Sequence, residues 1–314
     1  MSETETSAKK IVFTGLDNSG KTSIISALES ARYIRMDTKP TTFIERTSFK
    51  FLDYDIVSHD LGGQKKYLIK YLKTPDKFFD NTDICIFVID IQDIGRLGEV
   101  LEYTNDLLYQ FEAMGLKPKI YFFIHKAEKV LLEGDLEGAQ RIELLKSKIT
   151  EIDSGRNQLQ FRTTTIYDPW TITTAFSDIF QDLYPKDVLV NKIMEEFATR
   201  LNADAIVLLD RRIITVASFE RDEKYKSLIQ FCAPYIFTFS NSLGRFQGVE
   251  KSHLKVELDN YEFVFTENKE VEPKTFLFLL GKKGQIPPLD TISAEISAIL
   301  PELLASLRVA LPPQ

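Results

Sequence analysis

The chain has 314 residues and a formal net charge of −7, with 44% hydrophobic and 27% charged residues. That length suggests about two domains, and the composition supports real buried cores, which excludes fibres and long disorder. The acidic balance argues against nucleic acid as a partner, and two distant cysteines, Cys85 and Cys232, build no disulfide framework and fit a reducing compartment.

Taken in order, 10–14 is a short apolar run that stops at Gly15, as a buried strand would. A helix is predicted over 23–30, then two hairpin strands over 43–52 and 55–59 around a turn at Asp53-Tyr54. Residues 83–90 and 119–125 are nearly continuous apolar runs, the signature of parallel strands covered on both faces. Helices are expected over 98–114, 136–152 and 169–183, the last with Pro169 in its first turn, and a strand over 159–165. The alternation predicts an α/β fold, a six-stranded, mostly parallel, doubly wound sheet that is antiparallel only at the hairpin.

Tyr184-Pro185-Lys186-Asp187 reads as a junction, giving domains of 1–184 and 185–314. The second half predicts a helix over 188–201, strands over 205–209 and 213–219, and a helix over 222–243. That helix carries Leu228, Ile229, Cys232, Tyr235, Ile236, Phe239 and Leu243 on one side, with a kink at Pro234. Strands over 253–258, 261–266 and 275–280 follow, then a helix over 291–307, kinked or restarted at Pro301. This is an α+β module with a five-stranded antiparallel sheet. It holds no catalytic constellation, since His253 reads as a strand-end residue and Lys282-Lys283 as a solvated turn.

The chemistry lies in the first half. Gly15-Leu16-Asp17-Asn18-Ser19-Gly20-Lys21-Thr22 matches G-x-x-x-x-G-K-[ST] in full, between a strand and a helix. Its glycines let successive N–H groups turn inward around a phosphate. The helix start adds partial positive charge. Lys21 supplies a point charge for the β- and γ-phosphates, and the Thr22 hydroxyl can ligate Mg²⁺. Asp17, Asn18, Ser19, Gly20, Lys21, Thr22 and Ser23 are therefore candidate nucleotide-binding residues. In Asp60-Leu61-Gly62-Gly63-Gln64, Asp60 can reach Mg²⁺, the Gly63 N–H can approach the γ-phosphate and Gln64 can orient an attacking water. In Thr38-Lys39-Pro40-Thr41-Thr42, Thr41 is chosen over Thr42 as the threonine that binds Mg²⁺ and senses the γ-phosphate. The candidate metal set is thus Thr22, Thr41 and Asp60, and the catalytic set Gln64, Lys21 and Thr41.

Base recognition falls to His125-Lys126-Ala127-Glu128. A carboxylate at Glu128 can accept from both N1–H and the 2-amino group of guanine, which adenine does not offer, while the Lys126 stem lies over the base. GTPases usually read Asn-Lys-x-Asp here. Thr164-Thr165-Ile166 stands where a backbone N–H meets the guanine O6.

These motifs, in this order, resemble the Rag/Gtr type of Ras-superfamily small GTPase, with a P-loop worded like that of Arf proteins. The resemblance rests on Asp60–Gln64, on His125-Lys126, on Phe161-Arg162-Thr163-Thr164-Thr165-Ile166-Tyr167-Asp168, and on Ala203–Arg211, similar to a strand opening the Rag C-terminal domain. It implies a small-GTPase domain followed by a roadblock/longin-type domain, slow hydrolysis of GTP to GDP with Mg²⁺, and signalling. It also implies dimerisation through the C-terminal half, with another Rag-like GTPase or with itself, together with GTPase-activating and exchange factors and a roadblock-type scaffold. The rival readings are a nucleotide-binding scaffold with little turnover and a P-loop ATPase or kinase. Intact Gln64 and Thr22 count against the first, Lys126-Ala127-Glu128 against the second, and the nucleotide that co-purifies separates GTPase from kinase. The polar, acidic start, Ser2 in place of Gly, the Leu311-Pro312-Pro313-Gln314 end and the lack of a long apolar run lead us to expect a cytoplasmic protein. It would have no membrane anchor of its own and would be recruited to a membrane by a partner.

Overall fold

The computed structural model describes residues 9–30, 41, 43–51, 54–183, 188–243, 253–268 and 274–309. Asp53, Thr42 and the junction at 184–187 lie outside them. The chain divides into two compact units, one ending at Ala175 and the other beginning at Phe176.

The first unit runs β1 (Lys9–Thr14), α1 (Lys21–Ser30), β2 (Ile44–Phe51), β3 (Tyr54–Leu61), α2 (Lys65–Lys73), α3 (Asp76–Phe79), β4 (Ile84–Asp90), α4 (Leu97–Ala113), β5 (Lys119–His125), α5 (Glu128–Glu133), α6 (Leu136–Asp153), β6 (Leu159–Thr163) and the start of α7 (Pro169–Leu183). Its six-stranded sheet has the order β2-β3-β1-β4-β5-β6. Every described pairing is parallel except β2 with β3, as the sequence pattern predicts. Ile84 to Ile89 are buried without a break, because helices cover both faces of the sheet. Phe122 lies between Phe87 and Phe161, tilted against the first ring and stacked on the second, each 5.4 Å away. The chain leaves β1 for β3 on one side, then fills the other side with β4, β5 and β6. The C-terminal ends of β1, β3 and β4 therefore border a topological switch point, where doubly wound sheets bind ligands.

The sequence reading did not anticipate α2, α3 or α5, and β6 stops at Thr163, leaving Thr164 and Thr165 in the following loop. These three helices have 9, 4 and 6 residues, too short for a hydrophobic period to stand out.

The second unit contains the rest of α7, then α8 (Val188–Arg200), β7 (Ala205–Asp210), β8 (Thr215–Glu220), α9 (Glu223–Leu243), β9 (His253–Leu258), β10 (Tyr261–Glu267), β11 (Thr275–Lys282) and α10 (Leu289–Val309). Its five strands pair antiparallel in the order β8-β7-β11-β10-β9, as expected. Ile213 belongs to the turn and not to β8. Its φ is +69°, and its N–H donates to Asp210 O at 3.0 Å, while Asp210 Oδ1 accepts from Arg212 N and Ile214 N.

α9 continues through Pro234, and α10 continues through Pro301 without restarting. The inward stripe of α9 is Tyr225, Ile229, Ala233 and Phe237, with the Phe237 ring 5.0 Å from Phe276 and 6.2 Å from Phe265. Tyr235 and Phe239, expected on the apolar side with Ile229, are instead exposed beside Phe231, at 42%, 53% and 47%. At 100° per residue, two positions turn a side chain about 200° round the helix, so these aromatics face away from the sheet.

Candidate nucleotide site

Gly15 and Gly20 take φ of +130° and +99°, which L-residues avoid, and so let the chain curl between β1 and α1. The curl surrounds the Lys21 ammonium, which donates to Gly15 O at 3.0 Å and Leu16 O at 2.8 Å, with Ser19 Oγ at 3.4 Å. Burial pushes the Lys21 pKa down to about 8, opposed chiefly by Asp60. An anion placed against this desolvated cation raises it again, so the loop is built to receive negative charge. A cleft of about 320 Å³ opens here, lined by Asp17 to Ser23, Thr41, Gly63, Gln64 and Lys126.

Three residues from three separate segments meet at one point. Thr22 Oγ1 donates to Asp60 Oδ2 at 2.6 Å, Thr41 Oγ1 donates to the same oxygen at 3.0 Å, and the two hydroxyls lie 2.9 Å apart. Asp60 Oδ1 is buried and has no hydrogen-bond partner among the described residues. Two hydroxyls and a carboxylate with an uncommitted oxygen form the hard, oxygen-only set that suits Mg²⁺, so these residues fit the ion.

Gly63 lies against the P-loop backbone, its carbonyl accepting from Asp17 N at 2.9 Å. Gln64 caps α2 through its backbone, with Tyr67 N and Leu68 N donating to its carbonyl at 2.7 and 3.1 Å. Its side chain makes no capping bond, and the residue is among those lining the cleft. Phe43 adopts φ +72°, unusual for an aromatic residue. Its carbonyl accepts from Gly62 N at 2.8 Å and from Tyr71 Oη at 2.5 Å, and its ring lies among Tyr67, Tyr71 and Phe78.

At the other end, His125 sits behind the P-loop. It is buried, its Nδ1 is 3.0 Å from Thr164 Oγ1, and a Cβ added at Gly20 would fall 2.5 Å from its ring. Burial, aided by Lys126, pushes the His125 pKa down to about 4, so the ring is neutral and acts as a brace. Lys126, at φ +58°, donates to Asn18 O and pairs with Asp90 Oδ2, both at 2.7 Å. Glu128 is held from two sides: Gln92 Nε2 donates to Oε1 at 2.6 Å and Thr165 Oγ1 to Oε2 at 3.1 Å. Gln92 Nε2 also reaches Lys126 O at 2.8 Å. Thr164 and Thr165 are fully buried beside it, and Ile166 follows in the same loop.

Asp90, Gln92, Arg96, Phe43 and Tyr71 were not anticipated. Asp90 carried a signal, a carboxylate closing an apolar run. The others act through contacts far apart in sequence, Arg96 by pairing with Asp17 at 2.7 Å.

A family model described as the Gtr1/RagA G protein conserved region matches residues 10–236. Ras-related GTP-binding protein A of Dictyostelium discoideum is 28% identical over 256 residues, covering 77% of this chain and 82% of that protein. GTP-binding protein gtr1 of Schizosaccharomyces pombe is 26% identical over 216 residues, covering 67% and 68%. Ras-related GTP-binding protein B of Rattus norvegicus is 23% identical over 328 residues, covering 90% and 82%. Among solved structures, that of the Arl6 BBS3 small GTPase from Trypanosoma brucei with bound GppNp is similar at a TM-score of 0.44 and 24% identity, covering 56% of this chain and 96% of that one. A complete P-loop and a family match that spans both the nucleotide cleft and the start of the second unit place this chain in the Gtr1/RagA family of G proteins.

Proposed function

We propose that this chain is a guanine-nucleotide switch that hydrolyses GTP to GDP and phosphate, slowly when unassisted. The observation that carries the reading is the meeting of Thr22, Thr41 and Asp60 at the mouth of the P-loop. In this reading the P-loop N–H groups and the start of α1 cradle the phosphates, and Lys21 neutralises charge on the β- and γ-oxygens. Thr22, Thr41 and Asp60 would hold Mg²⁺, which supplies further neutralisation of the triphosphate. Gln64 orients a water for in-line attack on the γ-phosphorus. The bond from phosphorus to the bridging oxygen breaks, and GDP leaves with its own oxygen. No strong base is needed, because positioning and electrostatics dominate this chemistry.

Glu128, held between Gln92 and Thr165, accepts from guanine N1–H and the 2-amino group. Lys126 flanks the base, and the backbone at Thr164–Ile166 meets O6. Arg96 is committed to carboxylates, so unassisted turnover is expected at about 10⁻⁴ to 10⁻³ per second. Single-turnover phosphate release tests the whole reading: GTP should be cleaved in that range, Gln64→Leu should slow it further without loss of GTP binding, and ATP should not compete. A rate above about one per second, or equal displacement by ATP and GTP, refutes it.

We assign nucleotide chemistry to residues 1–184 and dimerisation to 185–314. Two features support the second assignment: β9 stands at a sheet edge, and Phe231, Tyr235 and Phe239 form an outward aromatic stripe on α9. A sheet edge and a stripe of exposed aromatics are each features that proteins ordinarily cover. The partner is another Rag-like GTPase or a second copy, with activating and exchange factors and a roadblock-type scaffold acting on the assembly. No helix among the described residues is long and apolar enough to cross a membrane; we propose a cytoplasmic protein drawn to membranes by its partners, in signalling. Light scattering on the full chain, alone and with a paralogue, should give a dimer that Phe239→Glu weakens at least about tenfold, the loss of one well-packed aromatic anchor. A chain that stays monomeric with itself and with every paralogue refutes the assignment.

A further inference from the structure

Asp17 is out of keeping with its surroundings. The P-loop offers N–H groups and the Lys21 ammonium, all suited to anions, yet Asp17 is also among the residues lining the cleft, and its carboxylate, 46% exposed, would repel a polyphosphate bound there. It stands at the γ end of that cleft: Asp17 N donates to Gly63 O at 2.9 Å, and Gly63 and Gln64 form the side assigned to the γ-phosphate. The base end, marked by Lys126, adjoins Asn18 instead. A like charge at the γ end opposes the triphosphate more than the diphosphate.

Arg96 meets this carboxylate. Its Nη2 lies 2.7 Å from Asp17 Oδ1, and its side chain is 31% exposed. It comes from a short 3₁₀ turn, Ile94–Arg96, between β4 and α4. Glu99 at 3.4 Å and Asp93 at 4.0 Å also face the guanidinium. With three acidic neighbours, Arg96 is anchored as a holder of Asp17 and is not free to swing onto a substrate.

We propose that Arg96 is a specificity-determining, positioning residue: by tying down and neutralising the Asp17 carboxylate, it lets the cleft accept a third phosphate and sets the preference for GTP over GDP. This rests on the reading of the cleft as a guanine-nucleotide site with its γ end at Gly63. Neither residue's chemistry suffices alone. An arginine without Asp17 would be one more anion-binding group, and Asp17 without the arginine would select against the triphosphate. The pair is exposed enough that salt screens it, so its effect is expected to shrink at high ionic strength.

The test is displacement of a fluorescent GDP analogue from the full-length protein by GTP and by GDP, with Mg²⁺ present and at low salt. Arg96→Ala should lower GTP affinity about five- to tenfold, the scale of one partly screened charge, and change GDP affinity less than about twofold. In the Arg96→Ala background, adding Asp17→Asn should restore the GTP-to-GDP ratio, because the repulsion that Arg96 offsets is then gone. A structural role for the pair would depress both nucleotides together and would not be rescued. If the wild type binds both nucleotides and Arg96→Ala leaves their ratio unchanged, or the double variant is no better than Arg96→Ala, the proposal is overturned on its own. If Arg96→Ala slows hydrolysis while the affinity ratio stays fixed, Arg96 reaches the reacting phosphate instead and the proposal is equally overturned. If the wild type binds neither nucleotide, the reading of the cleft falls first and the role of Arg96 falls with it.

Discussion

Lys21→Ala is expected to lower affinity for GTP and GDP together, by two to three orders of magnitude. Lys21 is 5% exposed and its ammonium is held by Gly15 O and Leu16 O, so it cannot be replaced by a mobile surface cation. Truncating one partner of a buried, hydrogen-bonded charge pair costs about 2–5 kcal/mol of binding. The nucleotide-free protein should melt at nearly the same temperature as wild type. There the lost hydrogen bonds are offset by relief of the desolvation that holds the Lys21 pKa near 8. Lys21→Arg should not rescue binding, because the curl of the loop accepts a compact ammonium and not a planar guanidinium. Titration with a fluorescent nucleotide, run beside a thermal melt, decides; an affinity within tenfold of wild type would show that the phosphates bind elsewhere.

Gly63→Ala is expected to act on the triphosphate state. A Cβ at this position would lie 2.2 Å from both Asp17 N and Leu16 C, and 2.4 Å from Leu16 O. All three are backbone atoms of the P-loop and cannot rotate aside, so either Gly63 withdraws or the loop distorts. Overpacking of this kind costs about 1–3 kcal/mol, and it falls on the segment assigned to the γ-phosphate. GTP affinity should drop about ten- to a hundredfold with GDP affinity nearly kept. Hydrogen exchange should show the Asp17 amide losing protection as its bond to Gly63 O breaks. Unchanged GTP affinity with Asp17 still protected would mean that the two backbones have room to separate at no cost.

The P-loop was legible because its chemistry is local: two glycines, a lysine and a hydroxyl within eight residues need only a strand before and a helix after. The six-stranded sheet was legible for the same reason, since Ile84–Ile89 and Ile120–Ile124 can be apolar without a break only where both faces are covered. Glu128 could be named, but not its holder, because Gln92 reaches it across a separation of 36 residues. Arg96 was invisible in the same way, because its partner lies on another strand–helix junction. The sequence names His125 as a nucleotide-binding candidate, and nothing local shows that its ring stands behind Gly20. On α9 the sequence presented too many apolar residues for one face. Only packing against Phe265 and Phe276 selects Phe237 and turns Phe239 outward.

The hydroxyl of Tyr71 has a mechanical consequence. It reaches Phe43 O at 2.5 Å and Gly62 O at 3.3 Å, joining the stretch that follows Thr41 to the stretch that precedes Gln64. Both hang from one residue of α2, so any displacement of that helix is transmitted to both walls of the phosphate site at once. The left-handed backbone at Phe43 costs about 1–3 kcal/mol, which the ring contacts with Tyr67, Tyr71 and Phe78 and the bonds to its carbonyl offset. The two walls of the site are thus coupled through one phenol, and the set of Phe43 depends on the aromatic contacts that α2 and α3 supply.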